Sequence, residues 1–277
     1  MIIDAHVYAL PDRLQKVNAD LPAGEKEIIS SIYKHSEGEM ALALSSIESI
    51  EKSMEAASIS KSTLVSFPWR SAILCAENNH YIMEATKHKP DNFWGICSIN
   101  PSCSDSFSLI KSFKANGIVG VKINPEWQGD FALDSECVCE LADEIIENGL
   151  FLMTHVDHPF NISNASGAHL LSLARKKPEL KIIAAHMGGM IGMYYLNENM
   201  KENFNNIWFD TAVSSTIKMV NHYIDIGLSD KIIFGTDFPF NHSHNQEQVV
   251  KAVKSLKLAT EIESKIFSGN FLQLLKS

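Results

Sequence analysis

Short apolar runs alternate along this chain with longer segments in which apolar residues recur every three to four positions. The short runs have the length and β-branched content of buried strands, and the longer segments have the period of amphipathic helices. Eight strands are predicted: Ile2–Tyr8, Ser62–Phe67, Phe93–Ile99, Val119–Ile123, Leu150–Thr154, Ile182–His186, Ile207–Asp210 and Ile232–Gly235.

Capping residues and glycines set the predicted helix boundaries. Ser104 is expected to cap a helix that ends at Asn116, and Asp134 to begin one that ends at Asn148. About thirty residues separate the first strand from its helix, which is unusually long for a connection. We expect a loop there with a short helix near Glu25–Tyr33. The other predicted helices are Met40–Ala57, Ser166–Lys177, Ser214–Ile226, Gln246–Leu256 and Thr260–Lys276.

Eight apolar strands alternating with helices favour a parallel sheet that is buried on both faces. Eight such units predict closure into a single (β/α)₈ (TIM) barrel over residues 1–277, and barrels of this type typically have about 250 residues. The alternative is an open doubly wound sheet. That fold usually has fewer strands and a glycine-rich fingerprint after the first, which this sequence lacks.

Composition and charge limit the kinds of molecule that this protein is expected to bind. The net charge is −9 and the 24 Lys and Arg residues are scattered, which argues against nucleic acid. Neither a secretory signal nor a membrane span is predicted, because Asp4 interrupts the first apolar run and no later run is long enough. Five cysteines without paired spacing indicate reduced thiols. We therefore expect a cytoplasmic protein whose partner is a small molecule.

Candidate chemistry lies at four predicted strand ends. His6, His155, His186 and Asp237 each stand at or just beyond the carboxyl end of a strand. Barrel active sites are built at that end, so these four side chains predict one site.

The residues around them resemble a known superfamily. "DAH", "THVDHP", "AAHMGG" and "GTDFP", in this order, are similar to motifs of the amidohydrolase superfamily, and "GIVGVKINP" and "IFSGNFLQLL" fit as well. They look most like its amidohydrolase-related branch, which includes lactone hydrolases and aminocarboxymuconate semialdehyde decarboxylases. The resemblance implies metal ligation by His6, His155 and Asp237, and a catalytic role for His186.

Two imidazoles and one carboxylate suit one divalent ion, with Zn²⁺ as the first expectation. The superfamily pattern has a second histidine where this chain has Tyr8. Operation without metal is therefore the alternative expectation. Tyr8 shares a strand face with His6, so we expect it either to orient substrate through its hydroxyl or to ligate as a phenolate.

Three further positions are candidates for substrate contact. Arg70 in "SFPWR" is expected to clamp a substrate carboxylate. Lys122 in "GVKINP" is either a carboxylated bridging lysine or, as we prefer, a salt-bridged lysine that faces the barrel. Trp69 and Trp127 are expected to wall the pocket.

The expected function is hydrolysis of a C–O or C–N bond in a small, carboxylated molecule. Asp237 would accept a proton from metal-bound water, and His186 would stabilise the oxyanion. The alternatives are a non-oxidative decarboxylase of the same branch and a catalytically silent barrel that only binds. Superfamily members often form dimers, so a homodimer is compatible with the resemblance.

Overall fold

A computed structural model describes residues 1–15, 21–36, 42–129, 131–157, 163–212, 217–241 and 245–276, with only the backbone for 30–36. All eight strands run parallel and pair in chain order from β1 to β8. They are β1 Ile3–Tyr8, β2 Lys61–Val65, β3 Phe93–Ser98, β4 Ile118–Ile123, β5 Phe151–Thr154, β6 Ile182–Ala184, β7 Ile207–Asp210 and β8 Ile232–Ile233.

Hydrogen bonds between β1 and the segment that follows β8 close the sheet. The backbone N–H of Ala5 donates to Phe234 O at 2.9 Å, and that of Tyr8 donates to Phe238 O at 2.8 Å. The predicted (β/α)₈ barrel is confirmed.

Four strands end earlier than predicted, all at the carboxyl end of the barrel, and β3 does so by one residue, at Ser98. β6 ends at Ala184 because His186 and Met187 have φ of 57° and 55°, a left-handed conformation that cannot continue a ladder. β8 has only two residues, and Asp237 beyond it has φ of 58°. β2 stops at Val65. His186 and Asp237 are therefore held by turns, whereas His6 lies within β1.

Helices cover the outside of the barrel. They are α1 Ala23–Ser36, α2 Ile47–Ala57, α3 Ala72–His88, α4 Ile110–Phe113, α5 Pro125–Gln128, α6 Glu136–Glu147, α7 Gly167–Lys176, α8 Met219–Asp225, α9 Gln246–Ser255, α10 Thr260–Ser264 and α11 Asn270–Lys276. The predicted helix 260–276 is divided by a π-helical turn, Lys265–Gly269, between α10 and α11. The predicted start at Ser214 lies outside the described residues.

Two predicted helix starts were wrong. Ser104 begins a 3₁₀ segment, Ser104–Leu109, instead of capping an α-helix. Serine hydroxyls there donate to carbonyls three residues back, as Ser106 does to Cys103, and compete with α-helical bonding. Asp134 does not begin α6, whose N-cap residue is Ser135. Its carboxylate instead lies 2.6 Å from His169 Nδ1.

The first connection contains more helix than predicted. α1 extends to Ser36, and α2 begins at Ile47, where the Ser46 side chain caps it; the predicted start at Met40 lies outside the described residues. Glu25 of α1 is buried and accepts hydrogen bonds from the backbone N–H groups of Arg70 and Ser71. These bonds tie the connection to the end of β2, at the mouth of the barrel.

Apolar side chains fill the barrel axis below the site. Inward-facing residues form one cluster, distinct from the larger cluster that packs strands against helices. Its strand members include Ile3, Val65, Ile96, Met153, Ile183 and Ile233. Among the described residues, no helix is both long and apolar enough to span a bilayer.

Candidate active site

Four of the predicted site residues meet at the carboxyl end of the barrel. His6 Nε2 lies 3.5 Å from Asp237 Oδ1. The His186 ring centroid is 5.6 Å from that of His6 and 5.1 Å from that of His155. Strands one, five, six and eight therefore deliver their side chains to one place, as barrel geometry requires.

Asp210, the last residue of β7, is a member of the site that sequence reasoning missed. Its Oδ2 accepts a hydrogen bond from His6 Nδ1 at 2.9 Å. Its Oδ1 accepts from the backbone N–H groups of His186 at 2.7 Å and Ala212 at 3.2 Å. Burial alone would raise the pKa of Asp210, but the interactions with His6 and His186 prevail and lower it to about 2. The available signal was an acidic residue that closes an apolar strand.

The hydrogen bond to Asp210 sets the tautomer of His6. Burial lowers the pKa of His6, and Lys122 lowers it further, so the ring is neutral. Its proton is on Nδ1 and is donated to Asp210, which leaves a lone pair on Nε2. That buried nitrogen has no hydrogen-bond partner among the described residues. A carboxylate behind a histidine whose other nitrogen is free is the usual arrangement at protein metal sites.

Asp237 is held against His6 by the backbone. Its N–H donates to His6 O at 2.9 Å, and its left-handed φ of 58° is a strained conformation of the kind found at functional sites. Gly235 permits this approach, since a Cβ there would lie 3.0 Å from His6 Cβ. Burial raises the pKa of Asp237; Lys122 opposes that rise, and Asp210 adds to it.

His186 is oriented by a carbonyl. Its Nδ1 lies 3.2 Å from Ala212 O, so the ring donates there and carries its lone pair on Nε2. Burial lowers the pKa of His186 well below its usual value, and His155 contributes to the shift. The neutral ring is therefore a hydrogen-bond acceptor at Nε2 rather than a donor.

His155 is turned away from the predicted ligand position. Its Nε2 lies 3.2 Å from Asp157 Oδ1, and its side chain is 31% exposed. No three His, Cys, Asp or Glu side chains in the described part of the chain enclose a metal position as they stand. The donors of His6 and Asp237 fit a divalent ion, and His155 Nε2 can join them only by leaving Asp157.

Aromatic rings form a wall beside these polar groups. The Tyr8 ring lies 5.2 Å from that of His6 and 5.2 Å from that of Phe240. Phe67 lies 5.9 Å from Tyr8 and stacks on Trp127 at 5.0 Å, with 12° between the planes. Burial raises the pKa of Tyr8 well above its usual value, and Asp237 and Asp210 add to the shift, so Tyr8 is a neutral phenol and a poor ligand.

The other predicted contact residues lie at different depths. Trp69 is fully buried behind Phe67 and donates its indole N–H to Asn78, so Trp127 rather than Trp69 belongs to the wall. The Arg70 side chain is exposed, with its guanidinium near Gly24 of α1. Lys122 is 1% exposed and faces the barrel interior on β4.

Comparison with known proteins identifies the family of this chain. The sequence profile of the amidohydrolase family matches residues 3–276. The chain belongs to the amidohydrolase family. A search of curated protein sequences found no match to this amidohydrolase.

Three solved structures show the shared fold. A 5-carboxyvanillate decarboxylase from Novosphingobium aromaticivorans, complexed with manganese and 4-hydroxy-3-methoxy-5-nitrobenzoic acid, is 17% identical with a TM-score of 0.78, covering 100% of this chain and 96% of that one. The 2,6-dihydroxybenzoate decarboxylase from Rhizobium is 18% identical with a TM-score of 0.71, covering 99% and 98%. A probable 2-pyrone-4,6-dicarboxylic acid hydrolase from Acinetobacter baumannii, with citric acid bound, is 17% identical with a TM-score of 0.69, covering 100% and 99%.

Proposed function

We propose that this amidohydrolase acts on a small ring-shaped carboxylic acid and removes its carboxyl group as CO₂. The observation that carries the proposal is the aromatic wall of Tyr8, Phe67, Trp127 and Phe240 beside buried His6 and Asp237. Flat rings of this kind bind planar rings by offset or edge-to-face packing. The names of the three similar structures, which concern two benzoates and a pyrone, support the same substrate class.

The hydrogen bonds of His186 support decarboxylation over hydrolysis. The expected hydrolytic mechanism requires His186 to donate to a carbonyl oxygen as it becomes negative. Its N–H is already donated to Ala212 O, and its other nitrogen is an acceptor. An acceptor at this position is suited to a ring hydroxyl, and such hydroxyls are present in the benzoates named above.

Decarboxylation breaks the bond between the ring and the carboxyl carbon, and a proton must replace the lost group. Asp237 is the side chain that can deliver that proton, because burial favours its protonated form. His186 Nε2 accepts a hydrogen bond from the ring hydroxyl, and the aromatic wall excludes water from the ring. Asp210 keeps His6 in the tautomer whose lone pair faces Asp237.

A divalent ion held by His6 and Asp237, with His155 turned inwards, would supply Lewis-acid binding of the substrate oxygens. Manganese in the 5-carboxyvanillate decarboxylase supports the choice of a divalent ion. Zn²⁺ stays a prediction.

Hydrolysis of a ring ester is the second candidate. It is supported by the probable pyrone dicarboxylic acid hydrolase and by the 3.5 Å approach of His6 Nε2 to Asp237, a pair that could activate water.

A substrate panel separates these activities. The Mn²⁺- and Zn²⁺-loaded protein is incubated with 5-carboxyvanillate, 2,6-dihydroxybenzoate and 2-pyrone-4,6-dicarboxylate. CO₂ release and the ring product are measured in parallel with acid release from ring opening. Loss of CO₂ from a benzoate supports the proposal, and ring opening without CO₂ supports the second candidate. Binding without turnover would indicate the silent barrel.

Two variants test the roles. General acid–base groups contribute about 10²–10⁴-fold to turnover, so Asp237→Asn should lower turnover by at least that range. His186→Asn should weaken binding of a hydroxybenzoate, because it removes the imidazole that accepts from the ring hydroxyl, and should retain measurable turnover. Near-normal turnover of Asp237→Asn would show that another group moves the proton.

A further inference from the structure

Lys122 is a charged residue at the heart of the site that the proposed function does not use. It lies on β4 opposite Ser98 of β3 and Met153 of β5, and it is 1% exposed. Its Nζ has no hydrogen-bond partner among the described residues. The same nitrogen lies 5.9 Å from the centroid of the Tyr8 ring. A buried amine therefore lies beneath the aromatic wall.

The acids of the site attract this amine but do not bond to it. Burial lowers the pKa of Lys122 to about 8, and Asp210 and Asp237 oppose that shift and favour the charged amine. The oxygens of Asp210 already accept hydrogen bonds from His6, His186 and Ala212. An ammonium has three N–H donors, and burying them without acceptors is costly. An acceptor oxygen of a bound ligand would supply the hydrogen-bond partner that Lys122 Nζ lacks among the described residues.

Arg70, the residue expected to hold a substrate carboxylate, is poorly placed for that task. Its side chain is exposed at the rim, near Gly24. An ion pair in water contributes little, whereas one formed in a buried site discriminates strongly between charged and neutral ligands. Of the two cationic residues, Arg70 is exposed and Lys122 is buried.

We propose that Lys122 binds an anionic oxygen of the substrate and makes the site selective for ring acids over neutral rings. The inference rests on the proposed function, because it assumes that a ring compound enters between the aromatic wall and Asp237. It assigns to Lys122 the carboxylate-binding role that the sequence predicted for Arg70.

The test compares Lys122→Met with Arg70→Met as a matched control. Binding of 2,6-dihydroxybenzoate and of its neutral amide is measured by calorimetry, with and without Mn²⁺. Hydrogen bonds to charged groups correspond to roughly 10- to 100-fold in affinity. Lys122→Met should weaken binding of the acid by about that factor and change binding of the amide less than about twofold. Lys122→Arg should recover part of the loss, and Arg70→Met should change neither ligand.

Four results would overturn the inference. One is unchanged affinity of Lys122→Met for the acid. Another is an equal loss for acid and amide, which would mean that Lys122 only supports the fold. The third is a ¹³C carbamate resonance from Lys122 after growth with labelled bicarbonate, which would make it a carboxylated lysine. If Lys122→Met does not fold, Lys122→Gln replaces it in the same measurements. Tighter binding of the amide than of the acid by the parent protein also refutes the inference.

A ringless probe separates this inference from the proposed function. Acetate binding is followed by NMR line broadening in the parent protein and in Lys122→Met. If acetate binding depends on Lys122 while no ring acid binds, the ring substrate class is wrong and the role of Lys122 stands. If ring acids bind equally to both proteins, the role of Lys122 is wrong and the substrate class stands.

Discussion

Replacing Asp210 by asparagine should reverse the tautomer of His6 without dismantling the site. Two backbone N–H groups converge on Asp210 Oδ1, from His186 and Ala212, and one ring N–H reaches Oδ2 from His6. An asparagine oxygen will occupy the position where two donors meet, because the opposite orientation would face its own N–H₂ towards both. The amide N–H₂ then faces His6 Nδ1. That nitrogen must become an acceptor, and the ring proton moves to Nε2.

The expected magnitude follows from these contacts. A proton on His6 Nε2 blocks the lone pair that faces Asp237, and changes behind a ligating histidine cost about 10- to 100-fold in metal affinity. The pKa of Asp210 falls from 3.8 to about 2, so its charge contributes stability above pH 4 that is lost as the pH falls towards 2. The contribution at neutral pH is at most about 2 kcal/mol, because part of the shift arises from a charged His6 that is not populated there.

Competition with a chromophoric chelator measures the affinity for Mn²⁺ and Zn²⁺. The ¹⁵N shifts of His6, assigned with a His6→Gln variant, report the tautomer directly and need no metal. Asp134→Asn is the matched control, because Asp134 also binds a histidine Nδ1, that of His169, on the outer surface. The reasoning is refuted if Asp210→Asn keeps the proton on Nδ1, or if its metal affinity stays within about twofold of the parent.

Three further outcomes are expected. Tyr8→His should raise the affinity for a divalent ion by adding an imidazole 5.2 Å from the His6 ring; unchanged retention of metal against a mild chelator would contradict this placement. Asp157→Ala should also raise metal affinity, because it frees His155 Nε2, and a His155→Ala background should cancel the gain. Burial raises the pKa of Asp4 from 3.8 to about 6, although hydrogen bonds from Thr236 and Gln246 oppose the rise. The contribution of protonated Asp4 to the free energy of unfolding is therefore complete below pH 4 and is lost as the pH rises through 6. Asp4→Asn should therefore gain about 3 kcal/mol relative to the parent between about pH 4 and pH 7, and parallel pH profiles in urea unfolding would rule this out.

The barrel could be predicted because its information is local. Each strand is a short apolar run and each helix has its own period, so eight repeats indicate the fold without any tertiary contact. The strand ends were less predictable. Nothing local shows that His186 and Asp237 adopt positive φ, since that conformation is imposed by contacts with Asp210 and with His6 from other strands.

The site was predicted in its residue types but not in its hydrogen bonds. His6, His186 and Asp237 could be found from their positions at strand ends. That Asp210 sets the tautomer of His6, and that His186 has its N–H committed to Ala212, depends on which β-strands become neighbours. The same dependence applies to the burial of Arg70 and Lys122. Sequence position shows which strand each residue is near, but not that Arg70 is exposed and Lys122 is buried.

The backbone bond between His6 and Asp237 has a consequence for protein synthesis. The first strand leaves the ribosome long before the segment that carries Asp237, so the edge of β1 that faces away from β2 stays unpaired until that segment has been made. No nascent intermediate can hold the site, and measured activity therefore counts only chains whose barrel has closed. A ligand that contacts both His6 and Asp237 stabilises the contact between β1 and the segment after β8, which forms last. It should therefore slow the opening of the finished barrel more than it speeds its formation.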